Sequence, residues 1–99
     1  MVTMINVWSV EPANQQRLIE ILTRATEATV VSAQGFRGAT LHKSLDGMKV
    51  TMVAEWQSAV DVVALRDNPK AREFLAEALA IATMEPGLYE TAGRYPATA

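Results

Sequence analysis

Asp46-Gly47 stands between two runs of strand-forming residues, 36–45 and 49–56. An Asp-Gly pair in that setting is a strong hairpin signal, because both turn positions can take positive φ. Side chains alternate along a strand, so each run divides into two faces. In the first run Phe36, Gly38, Thr40, His42 and Ser44 share one face, and Arg37, Ala39, Leu41, Lys43 and Leu45 the other. In the second run Val50, Met52, Ala54 and Trp56 form the more apolar face. A sheet with a bare apolar face must be covered, which constrains what the rest of the chain can do.

The remaining segments supply a further strand and the cover. Residues 4–10 are rich in strand formers, with Met4, Asn6, Trp8 and Val10 on one face and Ile5, Val7 and Ser9 on the other. Pro12 ends that strand, and Asn14 is placed to cap a helix. Leu18, Ile21, Leu22, Ala25 and Ala28 then recur at helical spacing, predicting a helix over about 15–32. Thr29-Val30-Val31 weakens its last turn. Ser58-Ala59-Val60-Asp61 matches a capping box and should open a short helix that stops near Asp67. Asn68-Pro69 should start another, with Ala71, Phe74, Leu75, Ala78, Leu79 and Ala82 as its apolar stripe. Pro86-Gly87 predicts a turn, 88–92 a last strand, and 96–99 a frayed tail. The order is strand, helix, strand, strand, broken helix, strand. It predicts an α+β class: a ferredoxin-like split βαβ subunit whose antiparallel sheet is covered by helices.

Composition closes several functional classes. Ninety-nine residues predict a single domain over 1–99, with a core of about 4–95. A formal charge of −2 argues against nucleic acid or an anionic membrane surface as partner. The absence of cysteine excludes disulfides, thiolate metal sites and thiol nucleophiles, and a lone histidine excludes a centre of several imidazoles within one chain. The first ten residues lack a basic start and are interrupted by Asn6 and Ser9, unlike a signal peptide, so the cytoplasm is the expected compartment.

Few residues are suited to chemistry. His42 could serve as a general base, since imidazole is the side chain that gains and loses a proton near neutrality, or could be a half-buried histidine bonded to a neighbour. Trp8 and Trp56 offer flat surfaces for an aromatic ligand, or core or subunit-interface packing. Asn6 is disfavoured within a strand and needs a hydrogen-bonding reason, either a polar pocket or an ordered water. Met4, Met48, Met52 and Met84 suit gap-filling. Arg66 and Arg72 flank the break at Asn68-Pro69, where they could clamp an anionic or phenolate group or form a solvated face.

The run Gly35-Phe36-Arg37-Gly38-Ala39-Thr40-Leu41-His42-Lys43-Ser44-Leu45-Asp46-Gly47 resembles the hairpin of the antibiotic biosynthesis monooxygenase family. Val53-Ala54-Glu55-Trp56-Gln57-Ser58 resembles that family's strand ending in a tryptophan, and Pro86-Gly87-Leu88-Tyr89-Glu90 its last strand. The resemblance implies a homodimer in which two sheets join into a barrel, with a cavity between sheet and helices in each subunit. Some members oxygenate aromatic polyketides, anthrones or quinols with molecular oxygen as co-substrate and neither metal nor flavin. Others degrade haem or isomerise small phosphorylated sugars.

Carried over residue by residue, Trp56 matches the family's strand-end tryptophan and His42 a histidine common in the hairpin's first strand. Anthrone-oxidising members have an asparagine four residues before the tryptophan; Met52 stands there, and the following stretch 59–63 lacks their tyrosine. The haem-degrading branch uses a first-strand asparagine, a tryptophan and a helical histidine. Asn6 and Trp56 match two of these, and the predicted helices contain no histidine. The expected function is a cofactor-free monooxygenase or related tailoring enzyme acting on a small aromatic molecule. In it, His42 accepts the proton, Asn6 donates a hydrogen bond, and Trp56, Trp8, Met52, Phe74 and Arg72 bind substrate. A non-catalytic dimeric binding or assembly domain, or an isomerase or cyclase, remains the alternative.

Overall fold

A computed structural model describes residues 1–98, so the last residue of the expected frayed tail lies outside the described residues. Five strands form one antiparallel sheet: β1 (Val2–Val10), β2 (Phe36–Lys43), β3 (Lys49–Trp56), β4 (Ala82–Glu85) and β5 (Leu88–Tyr89). Their order is β2-β3-β1-β4, with β5 also paired to β1. The α+β architecture expected of a split βαβ subunit is the one observed. Strand β1 is central because both its edges are used, by β3 on one side and by β4 then β5 on the other.

One face of the sheet is covered. Met4 and Trp8 of β1, and Val50, Met52, Ala54 and Trp56 of β3, are buried against three helices. These are α1 (Gln15–Ala25), α2 (Ala59–Arg66) and α3 (Pro69–Leu79). Helix α1 turns Leu18, Ile21 and Leu22 inward, as its apolar spacing requires. Arg24 of α1 pairs with Glu77 of α3 at 2.9 Å and lies 5.9 Å from the centre of the Phe74 ring, tying the two helices together. The core divides into two clusters. Trp8, Leu18, Ile21, Leu22, Val50 and Ala78 form one, and Met4, Met52, Ala54, Trp56 and Val62 the other.

Several local expectations are corrected. Asn14 does not cap α1 with its side chain; Pro12–Asn14 forms a short 3-10 turn that feeds directly into the helix. The helix expected to reach residue 32 ends its α geometry at Ala25 and continues as a π turn over Thr26–Val30. There the Thr26 and Thr29 hydroxyls donate to the carbonyls of Leu22 and Ala25, each at 2.7 Å, competing with regular backbone bonding. Ser58 begins α2 but its hydroxyl bonds the Asp61 carboxylate at 3.0 Å rather than a backbone N–H. Asn68 caps α3 as expected, accepting from the N–H groups of Lys70 and Ala71 at 2.8 and 3.2 Å. The α3 stripe stops at Leu79, and Ala82 belongs to β4, a strand the helical spacing had masked. Pro86, which has no N–H for a ladder, separates β4 from β5, so the last strand comes in two pieces.

The hairpin turn is also not the expected pair of positive-φ residues. Only Gly47 takes one, at 80°. Asp46 instead uses its carboxylate as an acceptor for the Met48 N–H and the Ser44 hydroxyl, at 2.9 and 2.7 Å. The Met48 N–H bond first, then the Ser44 hydroxyl, hold the Asp46 carboxyl below its ordinary pKa.

A β-bulge in β2 has the largest consequence for the site. Phe36 pairs with Trp56, and the next residue paired is Gly38, with Glu55. Arg37 is therefore the extra residue, and alternation changes phase across it. Phe36 lies on the covered face beside Trp56. Ala39, Leu41 and Lys43 register with Ala54, Met52 and Val50 on that face, whereas Gly38, Thr40 and His42 lie on the opposite one. The expectation that Phe36 and His42 share a face is overturned by this single inserted residue.

Candidate functional site

Between the two core clusters the packing does not close. A cavity of about 330 Å3 lies there, lined by Trp8 and Leu22 from one cluster and Met4, Met52 and Val62 from the other. Its floor is the covered face of the sheet: Met4, Asn6 and Trp8 of β1, Met52 of β3 and Met84 of β4. Its walls come from the end of α1 and the π turn (Ala25, Thr26, Thr29, Val30), from α2 (Val62, Leu65, Arg66) and from α3 (Ala71, Arg72, Phe74, Leu75). Arg66, Arg72, Leu75 and Pro86 are the exposed members of the lining, so they mark the mouth.

The interior is apolar with few polar groups, the usual make-up of a small-molecule site. Asn6 is central among those groups. The alternation of β1 aims it between Met4 and Trp8 into the seam, directly across from Met52 on β3. Its Oδ1 is buried and has no hydrogen-bond partner among the described residues. An acceptor left unmade costs about 1–3 kcal/mol, so its retention calls for a reason. The Thr26 and Thr29 hydroxyls have already given their protons to helix carbonyls, so toward the cavity they can only accept. Among the described residues Arg66 and Arg72 are the lining's only titratable side chains.

Of the residues expected to form a site, Asn6, Trp8, Met52, Phe74 and Arg72 are brought together around this cavity. Trp56 lies on the same face but behind the lining, fully buried among Met4, Met52 and Val62, with Phe36 edge-on against it. Its Nε1 is also buried without a partner among the described residues. His42 does not join them. It is exposed on the uncovered face of the sheet, paired with Thr51, and the expected meeting of His42 with Asn6 is not formed. The π turn was missed as part of the wall. Its signal was the Thr29-Val30-Val31 run, read only as a weakened helix end.

Comparison with known proteins agrees with this architecture. The family model described as "Antibiotic biosynthesis monooxygenase" matches residues 1–77. This chain belongs to the antibiotic biosynthesis monooxygenase family. Within this family, the chain is 30% identical over 96 residues to the tetracenomycin-F1 monooxygenase of Streptomyces glaucescens, spanning 97% of this chain and 86% of that protein. Its fold matches SnoaB, described as a cofactor-independent oxygenase from Streptomyces nogalater, with a TM-score of 0.81, 22% identity and 97% of each chain covered. Rv0793 from Mycobacterium tuberculosis has the same fold, with a TM-score of 0.80, 18% identity, and 96% of this chain and 98% of that one covered. The tryptophan and hairpin motifs that carry the family resemblance thus sit where the fold uses them. Trp56 supports the cavity floor from behind, and the bulge in β2 sets which residues of that strand lie on the covered face of the sheet.

Proposed function

We propose that this family member is a cofactor-independent monooxygenase of a phenol- or quinol-type aromatic small molecule, and that two chains form the working unit. Asn6 carries the reading. Asn6 lines an apolar cavity, and its amide oxygen is shut in without a partner among the described residues; a small turn of the side chain toward the cavity would let that oxygen accept from a ligand O–H. Trp8 and Phe74 line the same space and suit a flat ring system. The relatives named as a monooxygenase and a cofactor-independent oxygenase support the reaction class.

In this reading the substrate is its own reductant. A methylene held between aromatic rings reacts with dioxygen to give a carbonyl and water. Both C–H bonds break, one oxygen atom stays on carbon, and the other leaves as water with the two hydrogens. All four electrons lost by carbon reduce the dioxygen, so the balance needs no external electron source. The protein's part is to hold the electron-rich form in a dry space, with Asn6 fixing a hydroxyl and Arg72 stabilising negative charge from the mouth. His42 has no place in this mechanism, being on the other face of the sheet. The isomerase or cyclase alternative shares with the oxygenase the need to remove a substrate proton, for which no carboxylate, imidazole or amine lines the cavity among the described residues, so uptake of dioxygen rather than the lining separates the two.

A second reading, a binding domain without catalysis, is favoured by Met52. It puts a thioether opposite Asn6, where a second polar group would assist chemistry. Anthrone, naphthoquinol and simple quinols, incubated under air and under nitrogen with products identified by mass, separate the two. Product that forms only under air and takes up one atom of isotopically labelled dioxygen supports the oxygenase. Saturable binding with no product in either atmosphere supports the binding domain.

The dimer rests on the uncovered face of the sheet. Ile5 and Val7 of β1 and Val53 of β3 lie there with no helix across them. A second copy of this face would bury them. A chain that stays monomeric at micromolar concentration overturns this part of the proposal.

A further inference from the structure

We infer that the cavity's ligand carries a carboxylate, bound at the mouth by Arg66 together with Arg72; the inference rests on the cavity being the substrate site. The break between α2 and α3 brings the two side chains to one rim. Arg72 is fixed there: its Nε donates to the Arg66 carbonyl at 3.0 Å, and a terminal nitrogen meets Asp67 at 3.3 Å. The Arg66 guanidinium has no hydrogen-bond or ion-pair partner among the described residues. Two guanidinium groups against the lone Asp67 carboxylate leave the rim with a surplus positive charge. Among the described residues no Asp or Glu lines the cavity to offset it.

The apolar walls below strengthen that charge, because an anion at the rim is only partly solvated. A guanidinium presents parallel N–H donors that match the two oxygens of a carboxylate, whereas a phenolate offers one oxygen. The two ends of the site therefore ask for different groups. Asn6 on the floor takes a hydroxyl, and Arg66 at the mouth takes a carboxylate. An aromatic acid carrying a phenolic hydroxyl at its far end satisfies both.

A hydroxynaphthoate and the matching hydroxynaphthamide have nearly the same shape; the amide removes the charge and puts an N–H donor in place of one acceptor oxygen. Titration of each, followed by tryptophan fluorescence, tests the site, since Trp8 lines the cavity. The acid should bind about ten-fold more tightly than the amide, with the advantage shrinking as salt is added. In Arg66→Gln the acid should lose about five-fold in affinity while the amide is unaffected. Arg66→Gln should unfold at the same denaturant concentration as the parent, because its side chain holds no other group. Equal affinity for acid and amide in the parent, an advantage that Arg66→Gln leaves intact, or no binding of either probe overturns the inference. Its failure is distinct from failure of the oxygenase reading. Oxygen uptake with neutral quinols and no preference for acids removes only the anion site. A preference for acids without oxygen uptake removes only the oxygenase.

Discussion

Phe36 meets Trp56 edge-on, with ring centroids 5.4 Å apart and planes inclined at 66°. This sets the positive rim of one ring against the negative face of the other. Trp56 has no exposed surface and packs on Met4 and Met52, which are part of the cavity floor. Trp56→Ala should therefore cost about 3–5 kcal/mol of stability, read by urea denaturation at fixed protein concentration. Trp56→Phe should cost far less. It keeps an aromatic partner for Phe36 and removes the buried indole N–H that finds no acceptor among the described residues. Equal losses in the two variants would show that Nε1 has a partner after all.

Gly35 and Asp61 are matched by shape. Gly35 has φ of +81°, a conformation that L side chains rarely adopt, and a Cβ there would collide with the Asp61 carboxylate. Asp61 in turn accepts from the Ser58 hydroxyl at the start of α2. Gly35→Ala should destabilise the fold by about 1–3 kcal/mol from backbone strain and crowding together. In the Asp61→Ala background part of that loss should vanish, because the clash with the carboxylate is gone while the strain and the close approach of the residue 61 Cβ, 2.8 Å from the added methyl, remain. A double-mutant cycle by thermal melting gives the coupling; strict additivity would mean that the carboxylate already moves aside.

His42 is exposed on the uncovered face, out of reach of the cavity. His42→Ala should change affinity for a cavity ligand by no more than about two-fold, because the imidazole projects from the sheet face opposite the cavity, the face proposed for the dimer. The same titration on cavity residues provides the contrast. A loss of ten-fold or more in ligand affinity would place the imidazole in the site and refute the sheet register described above.

The reading of His42 as a cavity residue shows where the sequence stops being informative. Periodicity fixed β1 and β3 well, because neither strand breaks its alternation: Asn6, Trp8 and Met52 point where the spacing put them. Strand β2 carries a bulge at Arg37-Gly38, and one extra residue reverses every side chain beyond it. Gly38, with φ of +152°, was the available hint, but an isolated glycine marks bulges and bends alike. Strand β4 was hidden for another reason. Ala78, Leu79 and Ala82 continue a helical spacing, and only tertiary pairing of Ala82 with Val10 decides for strand. The cavity itself left no mark in the sequence beyond Asn6, since it arises where the two core clusters fail to meet.

Asn6 then gives the sharpest test of the site. Its buried Oδ1 has no partner among the described residues, and it projects from the middle of a central strand. Replacing an unsatisfied buried polar group by an apolar one of similar size removes a desolvation cost, so Asn6→Leu should raise stability by about 1 kcal/mol. The same change deletes the acceptor for a ligand hydroxyl. Affinity for a phenolic probe should fall about ten-fold, while a probe lacking the hydroxyl binds as before or better. Stability and function moving in opposite directions is the signature of a residue retained for its ligand rather than for the fold. Calorimetric melting beside the fluorescence titration decides the matter. If Asn6→Leu lowers stability and leaves phenol binding unchanged, the amide serves the sheet and the cavity has no polar anchor on its floor.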